Sequence, residues 1–167
     1  MFNYLFVILI VVAIFIYFYS KKYSIRIRNQ SGYLHSLPQY YGFYASLWFL
    51  IPSLIIISLY LIFAESFVTS TLIKSLPNDI KNLPVNELNL VVNDIKNLAV
   101  GNIANSSSFT GINEAASFYN KQYELIDKVV FYSSLIIGLL TFTYAYKTIS
   151  SSYRARNFIE SAIHILL

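Results

Sequence analysis

In a chain of 167 residues, 56% are hydrophobic and only 12% are charged, about half the charge of a soluble domain, so the composition excludes water as the main solvent and points to lipid. No cysteine is present, which excludes disulfides, thiolate nucleophiles and cysteine-based zinc sites. The net charge of +4 sits beside apolar runs and forms no basic stripe, so it argues against nucleic acid as a partner and reads as a topology signal.

The first apolar run, residues 2–19, carries no charge. At 1.5 Å per residue it reaches about 27 Å, close to the thickness of a hydrocarbon core. A cleaved signal peptide needs a basic lead-in and a small-x-small cleavage site. Here Phe2-Asn3-Tyr4 precedes the run and Tyr17-Phe18-Tyr19-Ser20-Lys21-Lys22 follows it, so an uncleaved anchor is favoured. The second run, residues 40–64, holds Ser46, Ser53 and Ser58, with Pro52 inside. A proline removes one backbone hydrogen bond, and membrane helices tolerate the kink. The third run, residues 129–146, is again free of charge and holds Gly138, Ser133, Ser134, Thr141 and Thr143. Such residues let helices approach closely in lipid, or are simply tolerated there; the sequence favours neither reading. Tyr17, Tyr19, Tyr40, Tyr41, Tyr44, Tyr144 and Tyr146 cluster at the run ends. That is the pattern of an aromatic belt, with an apolar ring below a wet hydroxyl. A base-stacking groove would interleave Lys and Arg with the rings, and these tyrosines are not so arranged.

Orientation follows from lysine and arginine placement. Lys21, Lys22, Arg26 and Arg28 lie between the first two runs without an acid. Lys147, Arg154 and Arg156 follow the third run before Glu160. Between runs two and three, Lys74, Lys81, Lys96, Lys121 and Lys128 are outnumbered by Glu65, Asp79, Glu87, Asp94, Glu114, Glu124 and Asp127. Residues 21–39 and 147–157 are therefore expected in the cytoplasm, and the N-terminus and residues 65–128 outside it. Three spans place these segments on the required sides.

The outer segment is too long for a simple turn. Leu88, Val91, Val92, Ile95, Leu98 and Ala99 fall on one helical face, opposite Asn89, Asn93, Asp94, Lys96 and Asn97. Asn86 or Pro84 starts this helix. Its apolar face either lies on a bilayer or partner or, as we favour, packs on its own neighbours. Asn78-Asp79-Ile80-Lys81-Asn82-Leu83 recurs as Asn93-Asp94-Ile95-Lys96-Asn97-Leu98; two copies fall short of a repeat architecture, and Pro84 prevents one helix through both. Residues 101–111 read as a loop. Within it Asn105-Ser106-Ser107 fits a glycosylation sequon, as does Asn29-Gln30-Ser31 on the cytoplasmic side, where it is silent. Asn113 then reads as an N-cap, and Ala116, Tyr119, Tyr123 and Ile126 continue a helical face into the third run, so that this helix projects beyond the membrane.

Chemistry is sparse. No phosphate-cradling Gly-x-x-x-x-Gly-Lys loop occurs. The two histidines, His35 and His164, form no pair at helical spacing with an acid, so no metal site is expected. Ser36 beside His35 lacks a nearby carboxylate for a triad. No ionisable residue lies deep in the spans, where it would mark an ion pathway. The expectation is a chain without catalytic, cofactor-binding or metal-binding residues, that is, no enzyme. Residues 157–167 begin an apolar run and stop, as if a fourth span were starting.

Three blocks carry a resemblance. Leu34-His35-Ser36-Leu37-Pro38-Gln39-Tyr40-Tyr41-Gly42-Phe43-Tyr44-Ala45-Ser46-Leu47-Trp48, followed by Pro52, is the first. Leu88-Asn89-Leu90-Val91-Val92-Asn93-Asp94-Ile95-Lys96-Asn97-Leu98 is the second, and Tyr153-Arg154-Ala155-Arg156-Asn157-Phe158-Ile159-Glu160 the third. In this order, with apolar helices between them, they resemble the extended N-terminal region of PstC, the permease subunit of the phosphate ABC transporter, in its long alphaproteobacterial form. Lys, Asn, Ile and Tyr stand where those relatives tend to carry Arg, Ala, Gly and Leu. In that family the Arg-Ala-Arg-Asn block leads into the permease core, which holds the phosphate pathway and the coupling helix for the ATPase, so no transport residue carries over to this chain.

The fold expected is an all-α membrane protein with three transmembrane helices, a partly helical extracytoplasmic segment and the start of a fourth helix. Residues 1–64 hold two spans and a basic cytoplasmic loop, 65–128 a periplasmic helical segment, 129–147 the third span, and 148–167 a cytoplasmic linker leading into the core. The resemblance implies a multi-pass protein of the bacterial inner membrane with a periplasmic N-terminus. It also implies a non-catalytic part in phosphate import, with a second permease subunit, two ATPase subunits, a periplasmic phosphate-binding protein and membrane lipid as partners. A stand-alone membrane-anchored sensor or scaffold is the alternative.

Overall fold

A computed structural model describes residues 2–102 and 111–166. Its elements are α1 (Phe2–Ser31), α2 (Pro38–Ser75), α3 (Asn78–Lys81), α4 (Val85–Ala99), α5 (Ile112–Thr148) and α6 (Ala155–Leu166). No strand occurs among the described residues. Three helices are long and apolar enough to cross a membrane: Tyr4–Ser31, Pro38–Ser75 and Ile112–Thr148. The candidate sequon at 105–107 and most of the 101–111 loop lie outside the described residues.

Helix ends follow local chemistry more than charge. The 21–39 segment, expected as a loop, is helical as far as Ser31. Lys21, Lys22, Arg26 and Arg28 are good helix formers, and nothing breaks the backbone ladder before Gly32, whose N–H bonds the Arg28 carbonyl at 2.9 Å. Pro38 then opens α2 as its first residue, a position where its missing N–H costs nothing. Helix α5 begins at Ile112, so Asn113 lies within its first turn and is not the N-cap. The 38 residues of α2 and 37 of α5 correspond to about 57 Å and 55 Å at 1.5 Å per residue, well beyond a hydrocarbon core of about 30 Å.

The chain divides into two compact units. The first comprises Met1–Ile57 and Val130–Leu167. Large apolar side chains such as Ile14, Phe15, Ile55 and Leu140 face outward from it. Water would penalise that surface and lipid does not. Inside, Leu5, Leu9, Ala45 and Phe49 are buried.

The second unit is Ser58–Val129. Val68, Leu72 and Leu76 of α2, Val91, Val92 and Ile95 of α4, and Ala116 and Tyr119 of α5 form its core, with Leu88, Leu98, Ala99, Tyr123 and Ile126 packed against it. The apolar face of α4 is thus spent on its own neighbours. Pro84 caps α4 at its start. At its end the Asn102 N–H bonds the Asn97 carbonyl at 2.9 Å and the Gly101 N–H bonds that of Leu98 at 3.0 Å, the paired bonds of a Schellman motif. In the first copy of the repeated hexapeptide, Ile80 and Leu83 also pack on this core, but α3 lasts only four residues before Pro84 intervenes.

Candidate functional site

Among the described residues, no three His, Cys, Asp or Glu side chains gather as a metal ion would require. The polar groups of the first unit instead build a seam between apolar helices. Ser46 Oγ donates to the Ala13 carbonyl at 2.9 Å and ties α2 to α1. Ser53 Oγ lies 2.8 Å from the Phe49 carbonyl in its own helix and 2.9 Å from the Ser134 carbonyl on α5. Gly138 of α5 meets α2 at the same level: a Cβ there would stand 2.9 Å from the Phe49 ring. Gly42 of α2 is equally close to α1, where a Cβ would come within 2.6 Å of the Tyr17 ring. Ser133 and Thr143 bond back to carbonyls of their own helix. The small and hydroxyl residues therefore divide, some joining helices and others only tolerated.

Pro52 shows why one of these hydroxyls is needed. A helical residue donates its N–H to the carbonyl four positions earlier, and proline has none to give. The carbonyl left without that donor is Trp48. Thr141 Oγ1, on α5, lies 2.6 Å from it, and 3.0 Å from the Ile137 and Gly138 carbonyls of its own helix. A neighbouring side chain thus satisfies the group that lipid cannot.

Beyond the seam, segments far apart in sequence clasp each other. The His35 N–H bonds the Ser151 carbonyl at 2.9 Å. Tyr41 donates its hydroxyl to the Tyr153 carbonyl at 2.7 Å, and the Tyr44 and Thr148 hydroxyls pair at 2.9 Å. Ser36 Oγ accepts the Arg156 N–H at 3.3 Å, satisfying one of the open donors in the first turn of α6. Tyr44 packs its ring 4.9 Å from those of Tyr153 and Phe158, while Trp48 stacks on Phe158 at 6.1 Å. Ala155 and Ile159 of α6 complete this buried cluster, while Arg156 and Glu160 pair at 2.6 Å on the exposed face of α6. Burial pushes the Tyr153 phenol up from its ordinary pKa, and the adjacent Tyr44 hydroxyl adds to the effect.

The clasp corrects the aromatic-belt reading. Tyr41 and Tyr44 are 0% and 2% exposed, whereas Tyr19 and Tyr144 are 59% and 61% exposed. Alternation of burial along α2 was invisible among consecutive tyrosines. Of the residues considered for chemistry, His35 and His164 are exposed and Ser36 is buried as a partner of α6.

In the second unit, Lys96 of α4 pairs with Glu65 of α2 at 2.8 Å. The ammonium holds the Glu65 carboxyl below its ordinary pKa. Asn120 of α5 donates to the Ala99 carbonyl at the end of α4 at 3.0 Å, and Tyr60 of α2 donates to Asp127 of α5.

Residues 6–167 match a family model described as phosphate ATP-binding cassette transporter. No curated protein and no solved structure matches the chain. The match takes in both halves of the clasp, the Pro52 seam and the α4 core, and with it the chain belongs to the phosphate ATP-binding cassette transporter family.

Proposed function

We propose that this chain is the N-terminal, non-catalytic part of the permease subunit of an ATP-driven phosphate importer in a bacterial inner membrane. The observation that carries the reading is the family match across residues 6–167, in a chain with three membrane-length helices. A second permease subunit, two ATPase subunits and a periplasmic phosphate-binding protein are its partners in this reading. The distribution of Lys and Arg supports a periplasmic N-terminus, with Lys21, Lys22, Arg26 and Arg28 in the cytoplasm. Residues 65–128 then face the periplasm, where they meet the binding protein. The clasp supports a structural role, because Ser36, Tyr41 and Tyr44 hold the segment entering α6. In this reading α6 leads toward the transport core.

The test is phosphate uptake by cells whose permease lacks residues 72–125, at limiting phosphate and with the binding protein present. Lost uptake with normal membrane levels of the permease supports the reading. Unchanged uptake removes the outer segment from the transport cycle. If deleting the whole gene also leaves uptake unchanged, the assignment passes to a stand-alone sensor or scaffold.

A further inference from the structure

The outward face of the first unit is largely apolar, and it includes a concave stretch. A groove of about 540 Å³ runs between α1 and α2, walled by Ile10, Ile14, Phe18, Phe43 and Leu50. Its floor is made of small residues, Ala13 and Ser46, joined by the bond from Ser46 Oγ to the Ala13 carbonyl. That bond satisfies the Ser46 hydroxyl, so the groove presents almost pure hydrocarbon. From Ile10 to Phe18 the wall rises about 12 Å along α1. Tyr17 closes the upper end, its ring 4.9 Å from that of Phe43. Above it stands Lys21, its Nζ 5.9 Å from the centre of the Tyr17 ring. An apolar slot ending under a cation matches, in order, the acyl chain and the anionic headgroup of one molecule.

We propose that this groove binds an anionic phospholipid, with one acyl chain between α1 and α2 and the headgroup phosphate at Lys21. The charge order commits the site to this occupant: a further apolar helix would fill the slot but leave Lys21 without a counter-charge, and a zwitterionic lipid would gain less from it. A juxtamembrane cation attracts anionic headgroups, and the slot adds a place for one chain in one register. The site depends on the chain lying in a membrane and not on what the family transports.

The test is native mass spectrometry of the detergent-purified chain, titrated with dioleoyl phosphatidylglycerol and, separately, dioleoyl phosphatidylcholine. The expected result is preferential retention of one phosphatidylglycerol. Lys21→Gln should weaken that retention by about fivefold, the worth of one cation near the headgroup. Ile14→Trp, at a half-exposed position on the wall, should fill the slot and weaken retention at least as much. Lys22→Gln removes the same charge one residue away and should retain the lipid. Equal retention of both lipids would overturn the proposal by leaving apolar contact with no part for the cation, and equal loss in the Lys21 and Lys22 variants would overturn it in favour of general attraction to basic residues. Because the chain has no cysteine, Ile14→Cys also gives a clean cross-linking probe. Disulfide dimers in membranes, with no lipid retained by the wild-type chain, would give the groove to a second copy and likewise overturn the proposal.

Discussion

The Trp48 carbonyl is the residue-scale key to the bundle, because two residues decide its state. Pro52 deprives it of a donor and Thr141 supplies one across the seam at 2.6 Å. Thr141→Val keeps the shape and removes the hydroxyl, and should cost about 0.5–2 kcal/mol in a membrane setting; Thr141→Ser should recover most of it. The decisive measurement is a double-mutant cycle in detergent unfolding. Pro52→Ala restores an N–H to the Trp48 carbonyl, so Thr141→Val should cost clearly less in that background; an equal cost in both would detach the two residues. Gly138→Ala makes a second residue-scale case. Its methyl would meet Ser53 and the Phe49 ring, and overpacking of that kind costs about 1–3 kcal/mol. Thermal unfolding in micelles would show it as a lowered midpoint.

At the scale of elements, α6 depends on a residue 120 positions away in sequence. Ser36→Ala leaves the Arg156 N–H without that acceptor and should fray the first turn, costing about 1 kcal/mol. Faster amide exchange at 155–158, with α4 unaffected, is the expected reading. Helix α4 gives a pH prediction. Lys96 lowers the Glu65 pKa from 4.5, so the ion pair contributes above that value and its contribution fades as pH falls through the lowered one. Thermal stability of the Lys96→Met variant should therefore approach that of the wild type in acid and at high salt, where an exposed pair is screened. A gap that persists in acid would assign the effect to the packing of the lysine stem.

These elements also show what sequence reading captures. The core face of α4 was legible because Leu88, Val91, Val92 and Ile95 recur with the helical period, and burial follows that period except at Asp94, which reads as part of the polar face and is buried. The end of α1 was misplaced because charge marks where a helix leaves lipid, not where it stops; stopping waits for Gly32. The fate of Tyr41 and Tyr44 was illegible because their partners, Tyr153, Thr148 and Phe158, lie more than a hundred residues away. Local pattern carries no information about such pairs. The Pro52 irregularity was visible, but its remedy was not, since nothing in the third run singles out Thr141 from Thr143.

At the scale of the whole molecule, one chain solves two packing problems. The first unit leaves many large apolar side chains exposed, Ile14, Phe15, Ile55 and Leu140 among them, and joins its helices through hydroxyls, glycines and backbone carbonyls as well as buried apolar contacts. The second gathers Val68, Leu72, Ile95 and Tyr119 inside, within a segment rich in lysine and acid. Ile95 is 0% exposed, and Ile95→Ala should destabilise the second unit by about 2–5 kcal/mol. Proteolysis within 65–128 should accelerate while the bundle stays intact in detergent.

The buried core of the second unit has a calorimetric consequence. Apolar surface exposed to water raises heat capacity, whereas apolar surface that exchanges a protein neighbour for a lipid tail meets hydrocarbon in both states. Melting of residues 65–128 should therefore carry a positive heat-capacity step and respond to urea. Separation of the membrane helices should carry little of either and respond to detergent chain length.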